Sequence, residues 1–191
     1  MPKTLQAEAA RPIPITKNEY LRGTFELSRH LDGFEKPLLS RGEFVLSPQH
    51  GLIWKTTIPF PAITVFDEGG IFTIDQNGNR NAMAKGTETR QFVTMISSVL
   101  SGNWDSLESD FDATKKDRET TGWHITLTPS ANSIVGNQIE LITAQGNPFV
   151  QEVVITKPSS DHDVITFDGQ LIETVPLPSE FNDLFTNGTA E

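Results

Sequence analysis

The chain carries 25 acidic against 15 basic side chains over 191 residues, and a net charge of −10 opposes non-specific nucleic-acid binding, which needs Lys and Arg to displace phosphate counterions. It equally disfavours electrostatic docking on anionic lipid, while leaving open a lipid held by apolar contact in a cavity. Cysteine is absent, which removes disulfide and thiol chemistry, and no run approaches the roughly 20 apolar residues of a membrane helix.

An apolar fraction of 36% with 14 Gly and 12 Pro fits one turn-rich globular domain. Residues 1–18 read as a flexible leader, 19–187 as the domain and 188–191 as a tail. The leader lacks the apolar core of a signal peptide, yet Ala7 to Ala9 ("AEA") has the small-x-small form that signal peptidase cuts after. A processed N-terminus and a plain alanine-rich leader both fit.

From Leu21 onward the dominant period is two, the mark of strands with one wet face. "LRGTFELSRHL" places Leu21, Gly23, Phe25 and Leu27 on one side. "SRGEFVLS" repeats the pattern with Gly42, Phe44 and Leu46, and "GLIWKTTIPF" continues it with Leu52, Trp54, Thr56 and Ile58. "AITVF" from Ala62 and "GIFTID" follow, the latter ending at Asn77-Gly78, a strong hairpin-turn signal. The period then changes: Phe92, Met95, Ile96, Val99 and Leu100 make one stripe of a helix, with Thr87 or Thr89 to cap its start and Gly102 its end. Trp104, Leu107 and Phe111 are spaced for a short second helix. Strands return at "WHITLTP", "QIELITA", "FVQEVVITK" and "DVITFDG", and Phe181, Leu184 and Phe185 suggest a last helical turn.

Strands, one helical interruption and more strands predict a mainly β fold of the α+β type: an open, strongly curled antiparallel sheet with a helical lid or plug. Motifs that carry chemistry are missing. The four histidines, His30, His50, His124 and His162, lack metal-ligand spacing, and Ser159 to Asp163 ("SSDHD") are neighbours in sequence, which suits a polar hairpin loop and not a triad. There is no P-loop, GxGxxG, GxSxG or HExxH. The expectation is a protein without catalytic residues, metal or cofactor. Trp54, Trp104, Trp123 and the 12 Phe either fill a core or line a cavity.

The stretch "GTFELSRHLDGFEKPLLSRGEFVLSPQHGLIWKTTIPF" resembles the LolA family of periplasmic lipoprotein carriers. In that family a strand with a central Phe leads through a Pro-Leu-x-Ser-x-Gly segment to F…P…W…P. The matching residues are Phe25, Leu31, Pro37, Leu38, Ser40, Gly42, Phe44, Pro48, Gly51, Leu52, Trp54 and Pro59. With the helix "FVTMISSVLSGN", "LESDF" and "WHITLTP", the resemblance runs from Leu21 to about Phe167. It implies an unclosed antiparallel β-barrel with a helical lid over an apolar cavity for acyl chains. It further implies a periplasmic, monomeric carrier of lipoprotein or other lipid cargo, a chaperone in protein transport and outer-membrane biogenesis. Its donor would be an inner-membrane transporter and its acceptor an outer-membrane receptor.

The acyl-facing wall then falls to Phe25, Leu27, Phe44, Leu46, Leu52, Trp54, Ile63 and Val65, under a helix contributing Phe92, Met95, Ile96 and Val99. Two departures stand out. Ser47 takes the place of the arginine that helps hold the family's lid closed, and Pro12 and Pro14 disfavour the family's N-terminal lid helix. A more open groove or a different cargo would follow from these. The rival reading is an envelope interaction or sensor module that uses the same fold to bind a partner protein. An esterase ranks third, since no nucleophile stands beside a recognisable base. A one-residue register slip in any strand would exchange its two faces.

Overall fold

A computed structural model describes residues 12–118, 122–131 and 133–186. Six strands come first: β1 (Glu19–His30), β2 (Leu38–Ser47), β3 (Gly51–Ile58), β4 (Ala62–Asp67), β5 (Gly70–Ile74) and β6 (Arg80–Ala84). Helix α1 (Thr87–Ser101) and a 3-10 turn (Trp104–Leu107) follow. Five more strands complete the sheet, β7 (Phe111–Arg118), β8 (Gly122–Pro129), β9 (Leu141–Gly146), β10 (Val150–Thr156) and β11 (His162–Thr174), before helix α2 (Ser179–Thr186).

All eleven strands belong to one antiparallel sheet in the order β6-β5-β4-β3-β2-β1-β11-β10-β9-β8-β7. The first half of the chain meanders outward from the centre to one edge. The second half meanders back from the other edge until β11 pairs with β1, Phe25 opposite Phe167. The two free edges, β6 and β7, are therefore the strands on either side of α1.

The sheet curls around that helix. Leu52 on β3 and Ile142 on β9 line one cavity, although five strand spacings separate them, about 24 Å in a flat sheet. A single buried cluster gathers Phe25, Phe44, Leu46 and Leu52 from one half, Ile125, Leu127, Ile142 and Val153 from the other, and Met95, Val99 and Leu100 from α1. The outer face of β2 to β4 is covered too: Val45, Ile53 and Val65 are buried against Leu177 and Phe185 of the α2 segment. Arg80 of edge strand β6 pins this layer, bridging Asp67 at 2.6 Å and donating from Nη1 to the Phe185 carbonyl at 2.8 Å.

Two glycines explain local geometry. A Cβ on Gly42 would lie 1.9 Å from the Lys55 carbonyl oxygen across the β2–β3 pair, where the register shifts between Arg41 and Gly42. Gly102 ends α1 at φ 72 with its N–H directed to the Val99 carbonyl, the expected left-handed cap.

The open antiparallel sheet with a helix in its concavity is the predicted architecture. Five details differ. Gly86, not a threonine, occupies the α1 cap position. The second helix is only a 3-10 turn, and Phe111 already begins β7. Strands β6 and β7 carry no alternating apolar signal and were not predicted. The boundary at residue 18 moves, because Ile15 is buried in the main cluster and its N–H bonds the Ser101 carbonyl at 3.1 Å. The leader's residues 1–11 and the tail 188–191 lie outside the described residues. Finally, the β4 face assignment is reversed, as described below.

Candidate functional site

Between α1 and the concave face lies a cavity of about 260 Å³. Its walls follow from strand alternation. Leu52 and Trp54 of β3 point inward, as do Leu27 of β1, Val153 and Ile155 of β10, and Ile165 and Phe167 of β11. Helix α1 closes it with Phe92, Met95, Ile96, Val99 and Leu100, one stripe at helical spacing. Trp54 stacks on Phe25, ring centroids 3.6 Å apart, and meets Phe167 edge-on at 6.2 Å. Such packing fixes the indole as a rigid wall.

Of the twelve residues expected to face a ligand, seven line this cavity: Leu27, Leu52, Trp54, Phe92, Met95, Ile96 and Val99. Phe25, Phe44 and Leu46 belong to the same core cluster but sit outside the cavity's lining. Ile63 and Val65 are on the opposite face, packed in the α2 layer. The register shows why: Trp54 opposes Thr64 and Leu52 opposes Phe66, so Thr64 and Phe66 share the inner face and Ile63 and Val65 the outer one. Phe66 lines the cavity in their place.

The wall contains two charged residues that the sequence reading does not assign to a site, Arg29 and Asp163. Asp163, expected with "SSDHD" in a polar hairpin loop, instead lies at the start of β11 beside His162. They are direct cross-strand partners on β1 and β11. Arg29 grips Asp163 through Nε at 2.9 Å and Nη2 at 3.2 Å, and Lys157 Nζ reaches its Oδ2 at 3.3 Å. Burial pushes the Asp163 carboxyl up, but hydrogen bonds and charge from Arg29, with Lys157, outweigh it and hold the group below the usual carboxylate range. The same bonds raise the Arg29 guanidinium. A hint was present in the sequence: Arg29 and Asp163 each continue the inward positions of an apolar strand at its last or first turn.

A second, larger cleft of about 490 Å³ lies at the other side of α1, among the β2–β3 turn, Arg90, Ser97, Ser98 and Ser101. Its hydroxyls are largely spent on local bonds. Ser98 Oγ and Ser106 Oγ are 2.7 Å apart, Ser101 Oγ donates to the Ser98 carbonyl at 3.4 Å, and Ser47 Oγ lies 3.0 Å from His50 Nδ1. Ser47 is buried and bonded within its own turn, while α1 packs its apolar stripe of Met95, Val99 and Leu100 into the main core. The apolar cavity is therefore the candidate site.

Near the strand ends around Arg29 and in the loops beyond them, five large side chains stand open: Phe34, Leu38, Leu39, Ile58 and Phe60, the last 80% exposed. Leu38 is the β2 partner of Arg29. His30 and His162 stack at 4.4 Å beside the Arg29–Asp163 pair, and by alternation on the outer face. Among the described residues no helix is long and apolar enough to cross a membrane.

The chain matches no protein-family model and no curated protein. Solved structures to which it is similar include a LolA superfamily protein from Nitrosomonas europaea, with a TM-score of 0.45 and 8% identity over 88% of this chain and 91% of that one. A DUF1329 family protein from Desulfovibrio piger gives 0.47 and 10% over 87% and 90%. The MucA/MucB complex of Pseudomonas aeruginosa gives 0.44 and 10% over 86% of this chain but 55% of that one, so this chain spans about half its length. These likenesses concern fold alone.

Proposed function

We propose that the protein binds one acyl chain in the cavity between α1 and the sheet and serves as a carrier of lipid or lipoprotein cargo in the periplasm. The observation that carries this reading is a preformed cavity of about 260 Å³ whose wall is apolar except at one end. Apolar cavities of about 150 Å³ take a benzene ring, so this one suits about ten carbons of a single chain. At about 0.8 kcal/mol per methylene, that burial is worth roughly 8 kcal/mol before the cost of ordering the chain. The resemblance of Leu21 to Phe167 to lipoprotein carriers supplies the carrier role, with an inner-membrane donor and an outer-membrane acceptor. Binding without catalysis is part of the reading.

Native mass spectrometry of the full chain after equilibration with a lipid extract tests it. A retained adduct of lipid mass is expected in wild type, and Ile96→Glu, which places a charge in the cavity, should abolish it. A bare protein mass after equilibration overturns the reading. The partner-binding alternative is favoured by the exposed apolar side chains Phe34, Leu38, Leu39, Ile58 and Phe60 at these strand ends and loops. A stoichiometric protein adduct lost on Phe60→Ser, with no lipid, would replace the carrier reading by that one.

A further inference from the structure

The cavity's chemistry changes at one end. On three adjacent strands the inward positions run apolar and then charged: Leu27 then Arg29 on β1, Ile165 then Asp163 on β11, Val153 and Ile155 then Lys157 just past β10. Arg29, Asp163 and Ile155 form one cross-strand row, and Lys157 reaches Asp163 from the next inward position. Two cations thus converge on one carboxylate whose side chain is only 10% exposed.

Asp163 does not exhaust its partners. A guanidinium has five N–H donors and an ammonium three. Asp163 takes one donor from Arg29 Nε, one from Nη2 and one from Lys157. Donors remain on both cations, whose side chains are 45% and 31% exposed; Arg29 lines the cavity, and Lys157 reaches the lining's Asp163 from just outside it. Asp161, in the β10–β11 turn, also faces these cations, and its charge offsets part of theirs. Its Oδ1 is held by the Asp32 N–H at 2.8 Å. The end of the cavity is therefore richer in directed donors than in net positive charge.

We propose that the preferred ligand is a single-chain amphiphile with a carboxylate head: the chain in the apolar cavity, the head accepting the free N–H groups of Arg29 and Lys157. This rests on the acyl-chain reading above. The volume excludes a second chain alongside the first, and the donor surplus selects an acceptor-only head. Charge-assisted bonds to a half-exposed carboxylate are modest, so the discrimination is about tenfold.

Dodecanoate and dodecanol, titrated separately into the delipidated full chain against a fluorescent fatty-chain probe, test it. Dodecanoate should displace the probe at about tenfold lower concentration than dodecanol, a gap that one charge-assisted bond supplies. Lys157→Gln, a partly exposed and structurally mild change, should weaken dodecanoate alone and close most of that gap. Equal affinity of acid and alcohol in wild type, or a Lys157→Gln loss shared by both, overturns the carboxylate head while keeping the acyl cavity. Failure of both to displace the probe removes the acyl cavity itself and this inference with it.

Discussion

Asp163 shows how one residue couples the cavity to pH. Its folded-state carboxyl is held below the ordinary Asp value against the pull of burial, because Arg29 and Lys157 stabilise the ionised form. A depressed folded-state pKa contributes stability that is complete above the unfolded value, about 3.9, and is lost as pH falls through the folded one. Resistance to urea should therefore fall below about pH 4. In Asp163→Asn the loss should be shallower than in wild type, the remainder belonging to Glu19, Asp75, Asp161 and Glu173, which are lowered as well. Equal slopes in the two proteins would show that the ion pair contributes no linkage. Sequence patterning marks the inward phase of Arg29 and Asp163 but not the triad they form with Lys157. In sequence Asp163 reads as part of a polar hairpin loop and Arg29 carries no assignment, and only the β1–β11 pairing, between opposite ends of the chain, puts them face to face.

Among the elements, legibility tracked the presence of a wet face. Strands β1, β2 and β3 keep wet outward positions such as Arg22, Glu43 and Lys55, which set their phase even though Val45 and Ile53 are buried in the α2 layer. Phe25, Phe44, Leu46 and Leu52 are indeed buried together on the inner face. Strand β4 is different because α1 covers one face of it and α2 the other. Ile63 and Val65 pack outward, Phe66 packs inward, and "AITVF" shows no polar side from which to choose. The edge strands fail for the opposite reason. "RNAMA" and "FDATKKDR" pair on one side only and are rich in polar and charged residue types, a composition that discourages further strand addition. The face assignment makes a separable prediction. Val65→Ala should cost about 2 kcal/mol of stability through a cavity in the α2 layer, with acyl affinity unchanged. Trp54→Ala should weaken acyl binding at least tenfold. Thermal melts and probe displacement on both variants check it, and an affinity loss in Val65→Ala would return that residue to the binding face.

At the scale of the whole molecule, the chain's outermost strands in sequence are its innermost in space. Asn18 and Val175 still meet, the Val175 N–H bonding the Asn18 carbonyl at 3.0 Å, so the sheet is closed at its centre by the longest-range pairing in the fold and left open at strands adjacent to α1. Long-range pairing forms only after most of the chain has collapsed, which makes folding slow relative to a local meander. Once made, the centre is the part least able to open locally, because β1 and β11 are paired on both sides and carry Leu21, Phe25 and Phe167 into the core. Edge strands β6 and β7 have one partner each. Native-state hydrogen exchange should then grade outward: amides of β1, β2 and β11 exchange only by global unfolding, and those of β6 and β7 by local opening at much lower free energy. Denaturant should accelerate the central amides strongly and the edge amides little. A bound acyl chain, touching both α1 and the central strands, should slow exchange in α1 most, since that helix rests on apolar contacts which the ligand extends. Uniform protection across the sheet, or slower exchange at β6 and β7 than at β1, would mean that the half-barrel opens as one unit and that α1 is not its movable wall.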